Sequence, residues 1–300
     1  VGIDGGDLDG VNIAGLYLWQ VRNVFVRGCR VSNIQEGTGI ALYHTGVLAD
    51  GACSNVVIVD NDVTLTGYPA STESAYGITL GAVLTFSGSY TDATDQWKGT
   101  YVAAAPADPI TTCVVVNNRV TGGYYSIALT GVVSSTIKGN VLSGNARNIS
   151  VQNGSVENVI AENTCRDSES SGIHLAFGAS RNHIVGNSIR SEQTAGEGLI
   201  QMYIGCEDNL VERNTISSPS TGVGAAYGIY AAIHANRNKI RNNTINGKIA
   251  QAAICVESAW IAGTSVIESR GFEQSSVVNG YGSEATDGVE ITGNIIDLSN

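Results

Sequence analysis

The sequence predicts an all-β fold, a right-handed single-stranded parallel β-helix of about nine or ten coils, on three observations. A triplet of apolar, Asn and apolar residues recurs along the chain. An alternating apolar pair recurs between the triplets. The two share a base period of 22–24 residues, broken by insertions.

The triplet reads apolar, two residues, Asn, one residue, apolar. It occurs as Ile58-Asn61-Val63, Val115-Asn118-Val120, Ile137-Asn140-Leu142 and Ile160-Asn163-Cys165. It continues as Ile184-Asn187-Ile189, Val211-Asn214-Ile216, Ile240-Asn243-Ile245 and Ile291-Asn294-Ile296. Successive asparagines are 57, 22, 23, 24, 27, 29 and 51 residues apart. An asparagine at a fixed turn position can donate and accept from coil to coil, as an asparagine ladder does. Asparagine also tolerates the left-handed backbone that turns demand. A degenerate copy, Val26-Cys29-Val31, lacks the amide and suits a terminal coil.

The alternating pairs are Leu16/Leu18, Ile40/Leu42, Ile78/Leu80, Ile127/Leu129 and Ile149/Val151, then Ile173/Leu175, Ile200/Met202, Ile229/Ala231 and Ile254/Val256. Period two marks short strands with one face buried, and their β-branching disfavours helix. A unit this short cannot bury its own apolar face, so neighbouring coils must stack. At ~4.8 Å per coil the stack is a rod of roughly 45 Å. A leucine-rich repeat would need the L-x-x-L-x-L spacing, which is absent.

The whole chain, 1–300, reads as one domain, expected to be excised from a longer chain because it begins at Val1. Two insertions, about 81–112 and 257–288, leave the same corner of the coil. They carry Trp97 and Trp260, expected to line the ends of a groove.

Composition excludes several classes. A net charge of −11 argues against a nucleic-acid partner, since phosphate neutralisation needs clustered Lys and Arg. No run approaches the ~18 apolar residues of a membrane span, and there is no signal-peptide pattern. The six cysteines fit no zinc or haem spacing and read as free, mostly buried thiols. Asp4-Gly5-Gly6-Asp7-Leu8-Asp9-Gly10 occurs once and reads as a plain turn, so no metal and no cofactor is expected. The acceptor patterns at Asn148 and Asn153 are expected by chance in an Asn-rich chain.

Residues alternating with the apolar pairs point away from the core. At the centre of that face stand Gln152, His174, Gln201, Tyr203 and Tyr230, with Glu257 in another coil. Tyrosines and amides suit sugar recognition, by stacking on pyranose faces and bonding hydroxyls. Asp167 and Glu169 precede the strand at Ile173, and Glu197 precedes the strand at Ile200. In adjacent coils Glu169 and Glu197 are expected roughly 5–10 Å apart, a range that covers both glycosidase geometries. One carboxylic acid would protonate the leaving oxygen and the other would attack or activate water. In the alternative, β-elimination from a uronate, His174 or a tyrosine would serve as base and acid. That chemistry needs a cation against the uronate, and the central strand face offers none, with only Arg147, Arg166 and Arg190 near its turns. Hydrolysis therefore leads, with lyase and non-catalytic glycan binding as alternatives.

Gly172-Ile173-His174-Leu175, with Asn182-His183-Ile184-Val185-Gly186-Asn187-Ser188-Ile189, resembles the pectate-lyase-like β-helix superfamily over nearly the whole chain. The acidic, Gly/Ser/Asn-rich style with inserted loops is most similar to bacteriophage tailspike depolymerases. That resemblance implies a homotrimer on a virion tail, cleaving capsular or O-antigen polysaccharide. The Asp-Asp and Gly-His-Gly set of polygalacturonases is missing. Ser171-Gly172-Ile173-His174-Leu175-Ala176-Phe177 keeps the frame of the alginate-epimerase motif without its catalytic residues. No family catalytic residue therefore carries over.

Overall fold

The structure, a computed structural model, describes residues 1–10, 14–32, 44–65, 75–81, 109–144, 146–191, 198–203, 205–219, 224–232, 235–257 and 286–298. Every strand pairing among them is parallel, and strands adjacent in space are separated in sequence by about one coil, which is the signature of the right-handed β-helix. One sheet has nine strands: Ala14–Trp19, His44–Asp50, Ala75–Leu80, Tyr125–Thr130, Arg147–Gln152, Ser171–Ala176, Gly198–Tyr203, Ala225–Ala232 and Ile249–Glu257. A twenty-stranded sheet wraps the remaining faces.

The apolar pairs fill the interior in register. Ile78, Ile127, Ile149, Ile173, Ile200 and Ile229 form one inward rank, all fully buried. Burial stabilises each by about 1.5–3 kcal/mol. The second coil differs from expectation. Its strand is His44–Asp50, and Val47 and Ala49 take the core positions beside Leu16 and Leu18. Ile40 and Leu42 lie outside the described residues. The gap from Ala49 to Ile58 is then nine, matching the 8–9 of ordinary coils. Alternation alone could not choose between two equally apolar registers eleven residues before the triplet.

The triplet asparagines form a continuous ladder. Each Nδ2 donates to the Oδ1 of the next, from Asn61 through Asn118, Asn140, Asn163, Asn187, Asn214 and Asn243 to Asn294, at 2.9–3.0 Å. Each Oδ1 also accepts the backbone N–H of the preceding ladder residue, and the series starts where the Cys29 N–H donates to Asn61. The left-handed residue is the one before the asparagine: Asp60, Asn117, Glu162, Arg213 and Asn242 have φ of 54–56°, and glycine stands there in the other coils. The ladder asparagine itself does not use the left-handed backbone it tolerates. Its amide must stay aligned with the axis, so its neighbour turns the chain.

A second ladder runs through Asn158, Asn182, Asn209 and Asn238, with Nδ2–Oδ1 distances of 3.0–3.1 Å. Ser135 and Cys113 continue its column. The opening acidic segment is no turn. Gly2–Asp9 is a strand paired with Arg22–Ser32, and Asp4 is ion-paired with Arg27 and Asp7 with Arg30. Strand Ile110–Thr111 pairs with Val132–Val133, so the tail of the first insertion belongs to the repeat. The acceptor patterns are spoiled by burial of the Asn148 side chain and of Asn153 Nδ2.

Candidate functional site

The nine-stranded sheet carries the residues singled out above on its outward face. Its middle rank reads Thr79, Ala128, Ser150, His174, Gln201, Tyr230 and Cys255 in consecutive coils. A second rank holds Thr130 beside Gln152, and Ala176 beside Tyr203 and Ala232. The alternation is as expected, yet the face is not an open groove. Every residue from Ala75 to Leu80 and in the five following strands of this sheet is buried, His174 and Gln201 included.

The centre is a hydrogen-bonded polar chain. Gln152 Nε2 donates to Ser150 Oγ at 2.6 Å and lies 3.2 Å from the Tyr125 hydroxyl. Ser150 Oγ stands 3.4 Å from His174 Nδ1. Ser171 Oγ donates to Gln201 Oε1 at 3.1 Å. Arg147 Nη1 donates to the Tyr125 hydroxyl at 3.2 Å, and its guanidinium carbon lies 5.9 Å from that ring's centroid. Burial, with the Arg147 charge adding to it, holds the His174 imidazole neutral, well below its ordinary pKa of 6.5.

Two tyrosine clusters flank this centre. Tyr76, Tyr124 and Tyr125 pack together toward the N-terminal side, with Tyr124 and Tyr125 centroids 4.5 Å apart. Tyr203, Tyr227 and Tyr230 pack with Phe177 on the other side, the Tyr227 and Tyr230 rings stacked at 4.9 Å. In the first coil the same face opens: Tyr17 is 56% and Trp19 52% exposed, with ring centroids 6.1 Å apart.

Arg147 corrects the expectation of a cation-free face. Strict alternation from Ile149 turns Arg147 inward, but pairing joins Tyr125 to Arg147 and then resumes at Ile127 and Ile149, skipping a residue. The skipped position turns inward. At Gly172 a Cβ would collide with Ile189, and at Gly228 with Ile245. The residue before it therefore faces out, as Tyr76, Tyr125, Arg147, Ser171 and Tyr227 do. The readable signal was a large residue, then a small one, then Ile, as in Tyr76-Gly77-Ile78 and Tyr227-Gly228-Ile229.

Asp167 and Glu169 are exposed on the turn between Thr164–Arg166 and Ser171–Ala176, at the edge of this face. Glu197, Trp97 and Trp260 lie outside the described residues. Glu257 ends strand Ile249–Glu257, in register with Ala232, and its side chain lies outside the described set.

A parallel solenoid with stacked asparagines and a polar, tyrosine-flanked sheet face defines a right-handed parallel β-helix. The sequence profile of the family described as periplasmic copper-binding protein (NosD) matches residues 98–270. That is more than half of the chain, and the chain belongs to this family. Curated protein sequences yield no match. Among solved structures, the chain is similar to a double mutant of the periplasmic alginate epimerase AlgG, at 13% identity and TM-score 0.57, covering 100% of this chain and 75% of that one. It is also similar to the A-module of the Azotobacter vinelandii mannuronan C-5 epimerase AlgE4, at 13% identity and TM-score 0.54, covering 99% and 77%. The enzymatically active domain of bacteriophage CBA120 tailspike protein 2 aligns at 10% identity and TM-score 0.52, covering 99% of this chain and 42% of that one. At these identities the likeness is one of fold.

Proposed function

We propose that this chain is a polysaccharide-processing β-helix whose glycan lies along the outward face of the nine-stranded sheet. The observation that carries the reading is the polar centre of Arg147, Gln152, Ser150, His174 and Gln201 between two tyrosine clusters. Bacterial surface polysaccharide, acted on outside the cell, is the substrate class. Epimerase and tailspike structures of the same fold are consistent with this. Assembly as a homotrimer belongs to the same proposal.

Among the described residues the centre favours uronate chemistry over hydrolysis. Arg147 supplies the cation that a uronate carboxylate needs. Neutral His174 is a base able to take the C5 proton, and the Tyr125 phenol can protonate the leaving oxygen. Because these groups are desolvated, each charge acts strongly, and the centre must open for a glycan to reach it. Hydrolysis stays as the second reading because Asp167 and Glu169 stand exposed at the edge of the same face.

The family description names copper. Copper needs several imidazole or sulfur donors converging. Among the described residues no three His, Cys, Asp or Glu side chains do so. Burial pushes the Cys113 thiol up to about 11 and Cys206 up to about 12, and it raises Cys165 further still. These thiols are poor sources of thiolate. The described donors do not fit copper.

The test is a screen of capsular, O-antigen and uronate polysaccharides that follows new reducing ends and unsaturated-uronate absorbance together. Both signals, abolished by Arg147→Ala and His174→Ala, support elimination. Reducing ends alone, abolished by Glu169→Gln, support hydrolysis. Retention of a glycan without any cleavage overturns the catalytic reading and leaves a binding protein.

A further inference from the structure

Away from that sheet, carboxylates and cations are matched coil to coil. Lys138 pairs with Glu162, Arg181 with Glu157, and Arg237 with both Glu207 and Asp208. At Glu212 the balance reverses. Its carboxylate is almost wholly buried at the end of strand Leu210–Glu212. Oε1 accepts from Arg213 Nη2 at 2.7 Å and lies 3.0 Å from His183 Nε2, while Oε2 accepts from Arg241 Nε at 2.9 Å. Two permanent cations and an imidazole thus share one acid. The patch is net positive on a chain of net charge −11.

We propose that Arg213 and Arg241, clamped by Glu212, form a binding site for an oxyanion: a sulfate, phosphate or carboxylate group. The two arginines lie in adjacent coils, where the Arg213 N–H donates to the Arg241 carbonyl. Like charges so placed repel unless something holds them. Glu212 holds them through one N–H of each fork. Burial by itself would raise the Glu212 pKa, but the hydrogen bonds from Arg241 and His183 and the Arg213 charge outweigh it, so the acid stays ionised. A guanidinium carries five donors in a plane that matches two oxyanion oxygens. The Arg213 side chain is 64% and the Arg241 side chain 40% exposed, so the remaining donors are open to a ligand. Thr292, exposed and in register with Arg241 in the next coil, adds a hydroxyl. The site lies off the nine-stranded sheet and stands independently of the function proposed for that sheet.

Calorimetry on the whole chain, in a buffer free of phosphate, tests this with sodium sulfate, dextran sulfate and unsulfated dextran. Wild type binds sulfated probes and not dextran. Binding of the free ion marks a small-anion site, and binding of dextran sulfate alone marks a substituent on a glycan. Arg213→Ala with Arg241→Ala weakens sulfate-dependent binding at least tenfold, and Arg213→Lys weakens it several-fold. Glu212→Gln raises the local charge yet loosens the clamp, so a built site weakens. Stronger binding by Glu212→Gln would reveal diffuse attraction and overturn the proposal. So would indifference to the arginine changes, or the absence of sulfate-dependent binding to wild type.

Discussion

His174 Nδ1 faces Ser150 Oγ across adjacent coils at 3.4 Å, and both side chains are buried. The pair makes stability depend on pH. The folded state keeps the imidazole neutral well below 6.5, while the unfolded chain protonates near 6.5. Below that point the unfolded state binds more protons, so stability is fully present above pH 6.5 and is lost as pH falls. The slope approaches about 1.4 kcal/mol per pH unit. Urea unfolding of wild type and His174→Gln between about pH 5 and 8 measures it. The variant flattens the acid limb by one proton, and an unchanged limb would place the titration elsewhere.

The ladder predicts a gradient of sensitivity along the rod. Asn163→Ala takes the acceptor from the Asn140 N–H and the donor from the Ile137 carbonyl, and leaves the Asn140 amide with its bond to the Val115 carbonyl alone. At about 1–3 kcal/mol for each of these two buried groups, it costs about 2–6 kcal/mol. Asn294→Ala breaks equivalent bonds in a half-buried coil and costs less than half as much. Denaturant midpoints of the two variants compare them directly.

Trp19 and Tyr17 are exposed on the face that is buried farther along, and under the proposed function they would stack on a sugar ring. Trp19→Ala weakens binding of a long glycan by about 0.5–1.5 kcal/mol. Short oligosaccharides held at the centre are unaffected. Affinity electrophoresis with both lengths separates the two effects.

Thiol labelling reads the packing. Cys255 is half-buried, and the other five cysteines are buried. In the native state Cys255 reacts first with a thiol reagent. Cys165 and Cys206, whose thiols burial pushes far up, react only on unfolding. Fast labelling of Cys206 would contradict its placement in the core.

The coil, its period and the first ladder were legible because each repeats and each obeys one rule. Asn-x-apolar recurs eight times, and period two leaves little doubt about which side is inside. Legibility fails where the rule bends. Arg147 reads as a residue near the turn, because strict alternation from Ile149 keeps it off the outward face, and the pairing that skips Asn148 reverses that alternation. The second ladder was hidden because its column changes from Cys113 to Ser135 before Asn158 begins it. Burial of the outward face was illegible too, since alternation tells which way a side chain points and nothing of what lies above it.

The amide-to-amide chains run along the rod, as do the hydrogen bonds between coils. Tension applied at the two ends therefore pulls these bonds lengthwise, one coil at a time, and the rod yields like a zip. Compression drives the coils together and meets the full stiffness of a close-packed interior. A molecule of this design is fitted to transmit a push along its axis and is weak to a pull.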